Sequence, residues 1–296
     1  MCIRDRDSFF LQGILCSRKP LSTTNSFPQS FSSSSEIFHS IRTAIASTKI
    51  ALTQGSILSP ALFNIKINNI VKSAQGPDCS LFVDDFAIYA SGGVYSGVQR
   101  RLQLCVNKVH KWAEENGFTF SPTKTQCIHF HNQRTRLDNP KINLGDTQIP
   151  MVKEAKFLGI IFDQKLTFKS HIQYLKTACQ KALNILRVVA HTDWGADKKT
   201  LLLLYRALVR SKLNYGCVVC GSAGESLLKM LDPIHHQGLR LCLGAFRTSP
   251  VYSLYAESGE PPLANRWLKF SLSYYTKLYS SSSSSWRSRL HSQSRS

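Results

Sequence analysis

Acidic residues are scarce in this chain: 18 Asp and Glu stand against 37 Lys and Arg, so the formal net charge is +19. Such a surplus makes a compact chain repel itself unless a polyanion shares the charge, and nucleic acid is the commonest polyanion. Histone-like or ribosome-like binding, or a membrane-surface role, would also fit. The charge therefore favours a phosphate-rich partner and indicates no particular chemistry.

Long apolar runs and paired cysteines are also missing. No stretch approaches the roughly 18 apolar residues of a membrane-spanning helix, so we do not expect this chain to be an integral membrane protein. The nine cysteines are odd in number and scattered, which indicates reduced thiols in an intracellular protein rather than a secreted disulfide scaffold. Hydrophobic residues still make up 43% of the chain, enough for the core of one large domain or two ordinary ones.

Both ends of the chain differ in composition from its middle. Residues 21–35 consist mostly of Ser, Thr, Asn and Pro, and a Ser run over 280–285 begins a Ser/Arg-rich end. Neither stretch has the apolar periodicity that offsets the entropy of ordering a chain. We therefore expect residues 1–49 to be an unmatched Ser-rich segment, disordered or spurious, and residues 280–296 to be a disordered tail.

The middle of the chain has a hydrophobic pattern that predicts several helices. Ser59-Pro60 begins a short one, because Ser is a good N-cap and Pro suits the first turn. Apolar residues spaced four and three apart predict an amphipathic helix over 96–115. A second amphipathic helix follows around residues 172–189, with basic residues on its opposite face, and further helices are expected over 198–213 and 226–243.

Strands are expected in the first part of this middle region. Two apolar runs, 81–83 and 86–89, are separated by two aspartates, which predicts a tight β-hairpin. Residues 125–131 and 155–162 indicate further strands, with a hairpin near residue 145 between them. Strands mixed with helices, followed by helices alone, predict an α+β domain and then a helical one.

Asp84 and Asp85 are the chemical centre of the sequence. Like charges at a tight turn repel each other, and a bound divalent cation removes that repulsion. Carboxylate oxygens are hard ligands that suit Mg²⁺ or Mn²⁺. The alternative is an Asp-rich surface turn, because Asp also favours turns through local hydrogen bonds.

An ordered series of motifs surrounds this pair. In chain order they are Gln54-Gly55-Ser56 with Leu58-Ser59-Pro60, Phe82-Val83-Asp84-Asp85, the stretch from Gly117-Phe118 to Lys124, and Phe157-Leu158-Gly159. Together they resemble the palm motifs of reverse transcriptases, specifically those of Jockey-like non-LTR retrotransposons. The resemblance covers roughly residues 50 to 275.

The resemblance implies a fold, an activity and partners. The fold would be a partial polymerase palm over residues 50–165, an antiparallel sheet with packed helices, followed by a helical thumb and connection region over 166–279. The activity would be RNA-templated DNA synthesis by two-metal nucleotidyl transfer, with Mg²⁺ or Mn²⁺ as cofactor. The partners would be an RNA template, a DNA primer and deoxynucleoside triphosphates, in the nucleus or in a cytoplasmic ribonucleoprotein.

The resemblance also implies roles for single residues. Asp84 would bind metal directly, and Asp85 would support it or a second ion. Lys124 would stabilise or protonate the leaving pyrophosphate, with a solvated loop lysine as the alternative. The nucleotide and template pocket would comprise Gln54, Gly55, Ser56 and Phe82, and the primer grip would comprise Phe157, Leu158 and Gly159.

Two further groups of residues are candidates for binding. Basic helix faces fit the backbone of a nucleic-acid duplex, with a solvated face as the alternative; the candidates are Lys169, Lys176, Arg206 and Arg210. Cys217 and Cys220 have zinc-ligand spacing. One such pair is a weak pattern, and cysteine is often buried among apolar residues, so core packing is favoured over a zinc site.

The chain departs from the resembled family in its acidic residues. Active members carry a further aspartate on a strand upstream of the Gln-Gly motif, but the only acids before Gln54 are Asp5, Asp7 and Glu36. The sequence therefore predicts a fragment of a retrotransposon polymerase that is not competent alone. A non-catalytic basic nucleic-acid-binding module is the alternative.

Overall fold

A computed structural model of the chain describes residues 7–17, 57, 59–92, 94–121, 123–131, 140–191 and 193–280. These residues belong to two compact units. The first unit mixes strands and helices; it ends at Gly159 and also includes Asp163–Lys165. The second unit is mostly helical and comprises Ile160–Phe162 and the residues from Leu166 onward. The predicted α+β class is confirmed at this level.

The main sheet of the first unit is antiparallel. Its strands are β1 (Asp7–Ser17), β2 (Asp78–Phe82), β3 (Asp85–Gly92), β4 (Phe118–Phe120) and β5 (Gln126–Phe130). β1 lies inside the sheet, with β3 along one edge and β4 and β5 along different parts of the other, and β2 pairs with β3. The predicted hairpin and the strand predicted over 125–131 are confirmed.

β1 differs from the expectation for the start of the chain. Residues 7–17 lie in the segment 1–49 that the sequence analysis expects to be disordered or spurious, yet they form an eleven-residue strand. Their sequence is rich in Phe, Leu and Ile, residues that suit a strand when other strands cover it. The strands that pair with β1 lie about 70 residues or more further along the chain. No local sequence pattern can therefore predict that β1 pairs with them.

The helices of the first unit are α1 (Ser59–Ile67), α2 (Ile70–Ser73) and α3 (Tyr95–Asn116). α3 confirms the helix predicted over 96–115, and Gly117 ends it in the left-handed region at φ 76°. Its buried face joins apolar residues of the sheet and of the shorter helices in one core; the core includes Ile67, Ile70, Phe86, Ile88, Val98, Leu102, Cys105 and Val109.

Two short hairpins follow. β6 (Asn143–Leu144) and β7 (Thr147–Gln148) flank a turn at Gly145-Asp146, as predicted. β8 (Glu154–Phe157) and β9 (Ile160–Asp163) form a second hairpin, so the single strand predicted over 155–162 is wrong. The reason is the turn at Leu158-Gly159, where both residues have positive φ and reverse the chain.

The helical unit begins with α4 (Lys169–Val189), α5 (Lys198–Tyr205), a π-helical turn (Arg206–Arg210) and α6 (Ser211–Asn214). It continues with α7 (Cys217–Cys220), α8 (Glu225–Leu228), a 3₁₀ turn (Lys229–Leu231), α9 (Asp232–Leu243), α10 (Val251–Ser258) and α11 (Leu263–Ser280). The helix predicted over 198–213 is present with its π-helical turn. The one predicted over 226–243 is divided into α8, the 3₁₀ turn and α9.

The helical unit has its own hydrophobic core. The apolar stripe predicted for α4 is buried, with Ile172 and Leu186 fully inside, while its lysines are exposed. α11 joins this core through Trp267, whose indole Nε1 donates to the Leu213 carbonyl at 3.0 Å. In the described part of the chain, no helix combines the length and apolar character that crossing a membrane requires.

Candidate active site

The two aspartates lie at the tip of the β2–β3 hairpin. Phe82 pairs with Asp85 in register, so the two-residue turn is Val83-Asp84 and Asp85 is already the first residue of β3. The apolar pattern predicts the turn one residue later, at Asp84-Asp85, because Val83 is a typical strand residue. The hairpin tip therefore holds Phe82, Asp84 and Asp85 together.

Val83 is held in an unusual backbone conformation. Its φ is +54°, a value that a β-branched residue rarely adopts. Two-residue hairpin loops with positive φ at this position favour Gly, so the hairpin keeps Val83 in a strained turn. Backbone strain of this kind concentrates at functional sites. The strain favours a functional role for the tip over an ordinary surface turn.

The carboxylates at the tip differ in their surroundings. Asp84 is exposed, whereas Asp85 is half-buried. Burial raises the pKa of the Asp85 carboxyl above its ordinary value, and the nearby Asp84 charge raises it further. A divalent cation bound between the two carboxylates would offset both effects. The donor chemistry therefore fits a hard cation such as Mg²⁺ or Mn²⁺.

The register of β1 places no carboxylate level with Asp85. Ile14 is paired with Asp85, and residues 8–17 contain no Asp or Glu. Asp7 is paired with Gly92 at the other end of β3, seven residues from Asp85, which corresponds to about 24 Å along a strand. Among the described residues, no three His, Cys, Asp or Glu side chains form a metal-binding group. Asp7 therefore cannot complete a site at the hairpin tip.

The structure places the other predicted residues of the first unit as follows. Phe82 is 61% exposed and stands beside the aspartates. Lys124 is exposed in the turn before β5, where its backbone N–H donates to the Ser121 carbonyl at 3.2 Å. Leu158 and Gly159 form the turn after β8, and Phe157 is buried. The predicted pocket residues Gln54, Gly55 and Ser56 lie outside the described residues.

The predicted backbone-binding residues of the helical unit fall into two groups. Lys169 and Lys176 are exposed on α4. Arg206 and Arg210 lie on the π-helical turn, and both guanidinium groups donate to Glu260 Oε1, at 2.7 and 2.6 Å. The two arginines thus already have an intramolecular partner, while their contact with phosphates stays a prediction.

Glu260 is the centre of an ion-pair cluster that the sequence does not predict. It is 1% exposed in the loop before α11, and Arg266 Nη2 donates to its other oxygen, Oε2, at 2.7 Å. Burial alone would raise the pKa of the Glu260 carboxyl, but hydrogen bonds from Arg210 and Arg206 outweigh it and hold the pKa below its ordinary value. The cluster ties the π-helical turn to the start of α11.

Cys217 and Cys220 are packed in the helical core. Both thiols are buried, and burial raises the pKa of Cys220 to about 11 and that of Cys217 above its usual value. Zinc binds the thiolate form, which this environment disfavours. The geometry supports the core-packing interpretation.

Residues 21–162 match the reverse transcriptase (RNA-dependent DNA polymerase) family. This part of the chain, just under half of it, is therefore similar to a reverse transcriptase domain, and the strained Asp84-Asp85 hairpin lies within it. The match begins at residue 21, inside the segment that the sequence analysis expected to be unmatched.

Curated relatives of the chain are retrotransposon proteins. The chain is 27% identical over 204 residues to a Pol polyprotein of the type-1 retrotransposable element R1 from Nasonia vitripennis, covering 66% of this chain and 60% of that protein. It is 24% identical over 217 residues to the RNA-directed DNA polymerase from the mobile element jockey of Drosophila melanogaster, covering 69% of this chain and 23% of that protein. The predicted resemblance to retrotransposon reverse transcriptases is confirmed, and the chain spans only part of each relative's length.

Proposed function

We propose that this chain is part of a retrotransposon reverse transcriptase that copies RNA into DNA by nucleotidyl transfer. The observation that carries the proposal is the Asp84-Asp85 tip of the β2–β3 hairpin inside the matched domain. In this proposal residues 50–165 are part of the palm and residues 166–279 the thumb and connection region. The partners are an RNA template, a DNA primer and deoxynucleoside triphosphates, in the nucleus or in a cytoplasmic ribonucleoprotein.

Asp84 and Asp85 are the residues that would hold a divalent cation. When bound, such an ion activates a primer 3′-hydroxyl or neutralises the triphosphate. The exposure of Asp84 leaves its oxygens accessible, and the strained turn fixes their position. The two carboxylates fit one ion; a full two-metal site needs a further acid on the strand beside β3, and β1 has none level with Asp85.

The remaining assignments follow from position and chemistry. Phe82 presents an exposed ring next to the aspartates, where it would contact template or nucleotide together with Gln54, Gly55 and Ser56. Lys124 would meet the leaving pyrophosphate. The turn at Leu158-Gly159, with Phe157 as its buried anchor, would grip the primer.

The alternative function is a non-catalytic nucleic-acid-binding module. The net charge of +19 and the absence of an acid on β1 level with Asp85 both favour it. Both proposals share binding to nucleic acid and differ in whether the hairpin tip holds a cation.

Asp84→Asn is expected to abolish weak Mn²⁺ binding by the chain. The substitution replaces the exposed carboxylate by a neutral amide and leaves Asp85 as the one charged ligand, so the pair loses half its charge and one of its four side-chain oxygens. Because the pKa of Asp85 is raised, Mn²⁺ affinity of the parent should fall with acidification at a higher pH than for an ordinary aspartate. Free Mn²⁺ measured by electron paramagnetic resonance reports both effects.

The matched control is Asp146→Asn, which makes the same change in the exposed turn between β6 and β7. This variant should bind Mn²⁺ like the parent. Unchanged Mn²⁺ binding in Asp84→Asn would place the ion elsewhere and return the aspartate pair to an ordinary surface turn.

Removing the side-chain charges of Lys169 and Lys176 together is expected to flatten the salt dependence of duplex binding. For each phosphate that the variant no longer neutralises, the slope of log affinity against log salt should fall by about 1. The measurement is fluorescence anisotropy of a labelled RNA–DNA duplex over a series of salt concentrations. The double variant Lys169→Ala/Lys176→Ala is compared with Lys229→Ala, whose ammonium is paired with Glu225 at 2.7 Å.

The control variant should keep the slope of the parent. A double variant with an unaltered slope would show that the exposed face of α4 is only solvated, which is the alternative interpretation of its lysines.

A further inference from the structure

The last helix of the structure leaves the core after its second turn. Leu263 and Trp267 are buried and Leu278 is half-buried, but six other large apolar side chains from Leu268 onward are between 39% and 64% exposed. They are Leu268, Phe270, Leu272, Tyr274, Tyr275 and Tyr279. An apolar surface of this extent on a helix indicates a binding face rather than ordinary solvent exposure.

The charge of α11 indicates what binds there. The segment Leu263–Ser280 contains no Asp or Glu, and Lys269 and Lys277 are exposed among the apolar residues. The same helix of a second copy would bring the same lysines and no acid to pair with them. Charge complementarity therefore favours a polyanion.

The type of apolar residue on α11 indicates which kind of polyanion binds there. Four of the six exposed residues are aromatic, and the rings of Tyr274 and Tyr275 are 6.0 Å apart in an edge contact. A helix-to-helix seam favours aliphatic side chains. Aromatic rings interleaved with lysines are instead the usual platform for single-stranded nucleic acid, because every base has a face that can stack.

We propose that the exposed part of α11 binds single-stranded nucleic acid, such as the unpaired template. Phe270, Tyr274, Tyr275 and Tyr279 stack with bases, and Lys269 and Lys277 contact phosphates. We call these six residues the α11 platform. The proposal rests on the proposed function only in that a reverse transcriptase meets an unpaired template.

The test measures binding of a short fluorescent oligodeoxythymidylate to the full chain. Tyr274→Leu/Tyr275→Leu keeps the apolar character of the platform but removes two rings, and affinity should fall at least about tenfold. Tyr274→Phe/Tyr275→Phe keeps the rings and should bind like the parent. The salt dependence should stay that of the parent in both variants, because the lysines remain.

A second variant tests the platform without altering its rings. Lys269→Gln/Lys277→Gln should lower the salt slope for the same oligonucleotide by about 1 for each phosphate that is no longer neutralised. Circular dichroism confirms that each variant keeps its helix content. If Tyr274→Leu/Tyr275→Leu (the leucine variant) loses helix content, the salt slope of Lys269→Gln/Lys277→Gln tests the proposal instead.

A blunt RNA–DNA duplex, measured in parallel, separates this inference from the proposed function. A parent that binds the duplex but not the oligonucleotide would overturn the platform and leave the proposed function standing. Equal oligonucleotide binding by parent and leucine variant, or self-association of the parent that the leucine variant loses, would also overturn it. A parent that binds neither probe would count against nucleic acid as the partner altogether.

Discussion

Glu260→Ala is expected to lower the free energy of unfolding of the helical unit by about 3 kcal/mol or more, because it leaves partly buried arginines without their counter-charge. Arg206, Arg210 and Arg266 all donate to this one carboxylate, which is 1% exposed. Urea unfolding followed by far-ultraviolet circular dichroism measures the loss as an earlier transition of the helical signal.

The pH dependence of that loss has a defined sign. The folded-state pKa of Glu260 is held below its ordinary value, so its stabilising contribution is present above the ordinary value. It disappears as the pH falls through the depressed value. The difference in stability between parent and variant should therefore shrink on acidification.

The control is Glu257→Ala, which removes the neighbouring ion pair with Lys198. Both side chains of that pair are substantially exposed, so the loss should stay below about 1 kcal/mol. Equal losses in the two variants would show that the Glu260 cluster stabilises no more than a surface pair does.

Local patterns are enough to predict the two long amphipathic helices of the middle region and the aspartate hairpin. The long amphipathic helices α3 and α4 follow from their apolar spacing, since each buries one stripe against its own unit. The position of the β2–β3 turn was missed by one residue because Val83 has the composition of a strand and the conformation of a turn.

Features that depend on distant partners could not be predicted. β1 forms through pairing with β3 and β5, which lie much further along the chain, and its own residues show no alternation of polar and apolar positions. Glu260 lies between glycine and proline, and nothing in the adjacent sequence indicates that three arginines surround it. For the same reason the sequence does not indicate that Arg206 and Arg210 both donate to Glu260, and their contact with phosphates stays a prediction.

The second large effect concerns catalysis: the chain alone is expected not to extend a primer. In the proposed site Asp84 and Asp85 would supply one side of a metal-binding site, but the position on β1 paired with Asp85 is Ile14. Without a further carboxylate a second ion is poorly held. Activation of the 3′-hydroxyl and neutralisation of the transferring phosphate, which carry most of the catalysis in such sites, are then both weakened.

The absence of primer extension should not reflect a failure to bind the primer–template. The charge and the exposed lysines of α4 do not depend on the aspartates, so the parent and Asp84→Asn should bind primer–template with the same steep salt dependence.

The most direct measurement is primer extension on polyriboadenylate primed with oligodeoxythymidylate, in Mg²⁺ or Mn²⁺, comparing the parent with Asp84→Asn under conditions where both bind the primer–template. The expected result is binding without extension in either protein. Extension by the parent that disappears in Asp84→Asn would contradict this, because it would mean that an acid other than one on β1 completes the site at the hairpin tip.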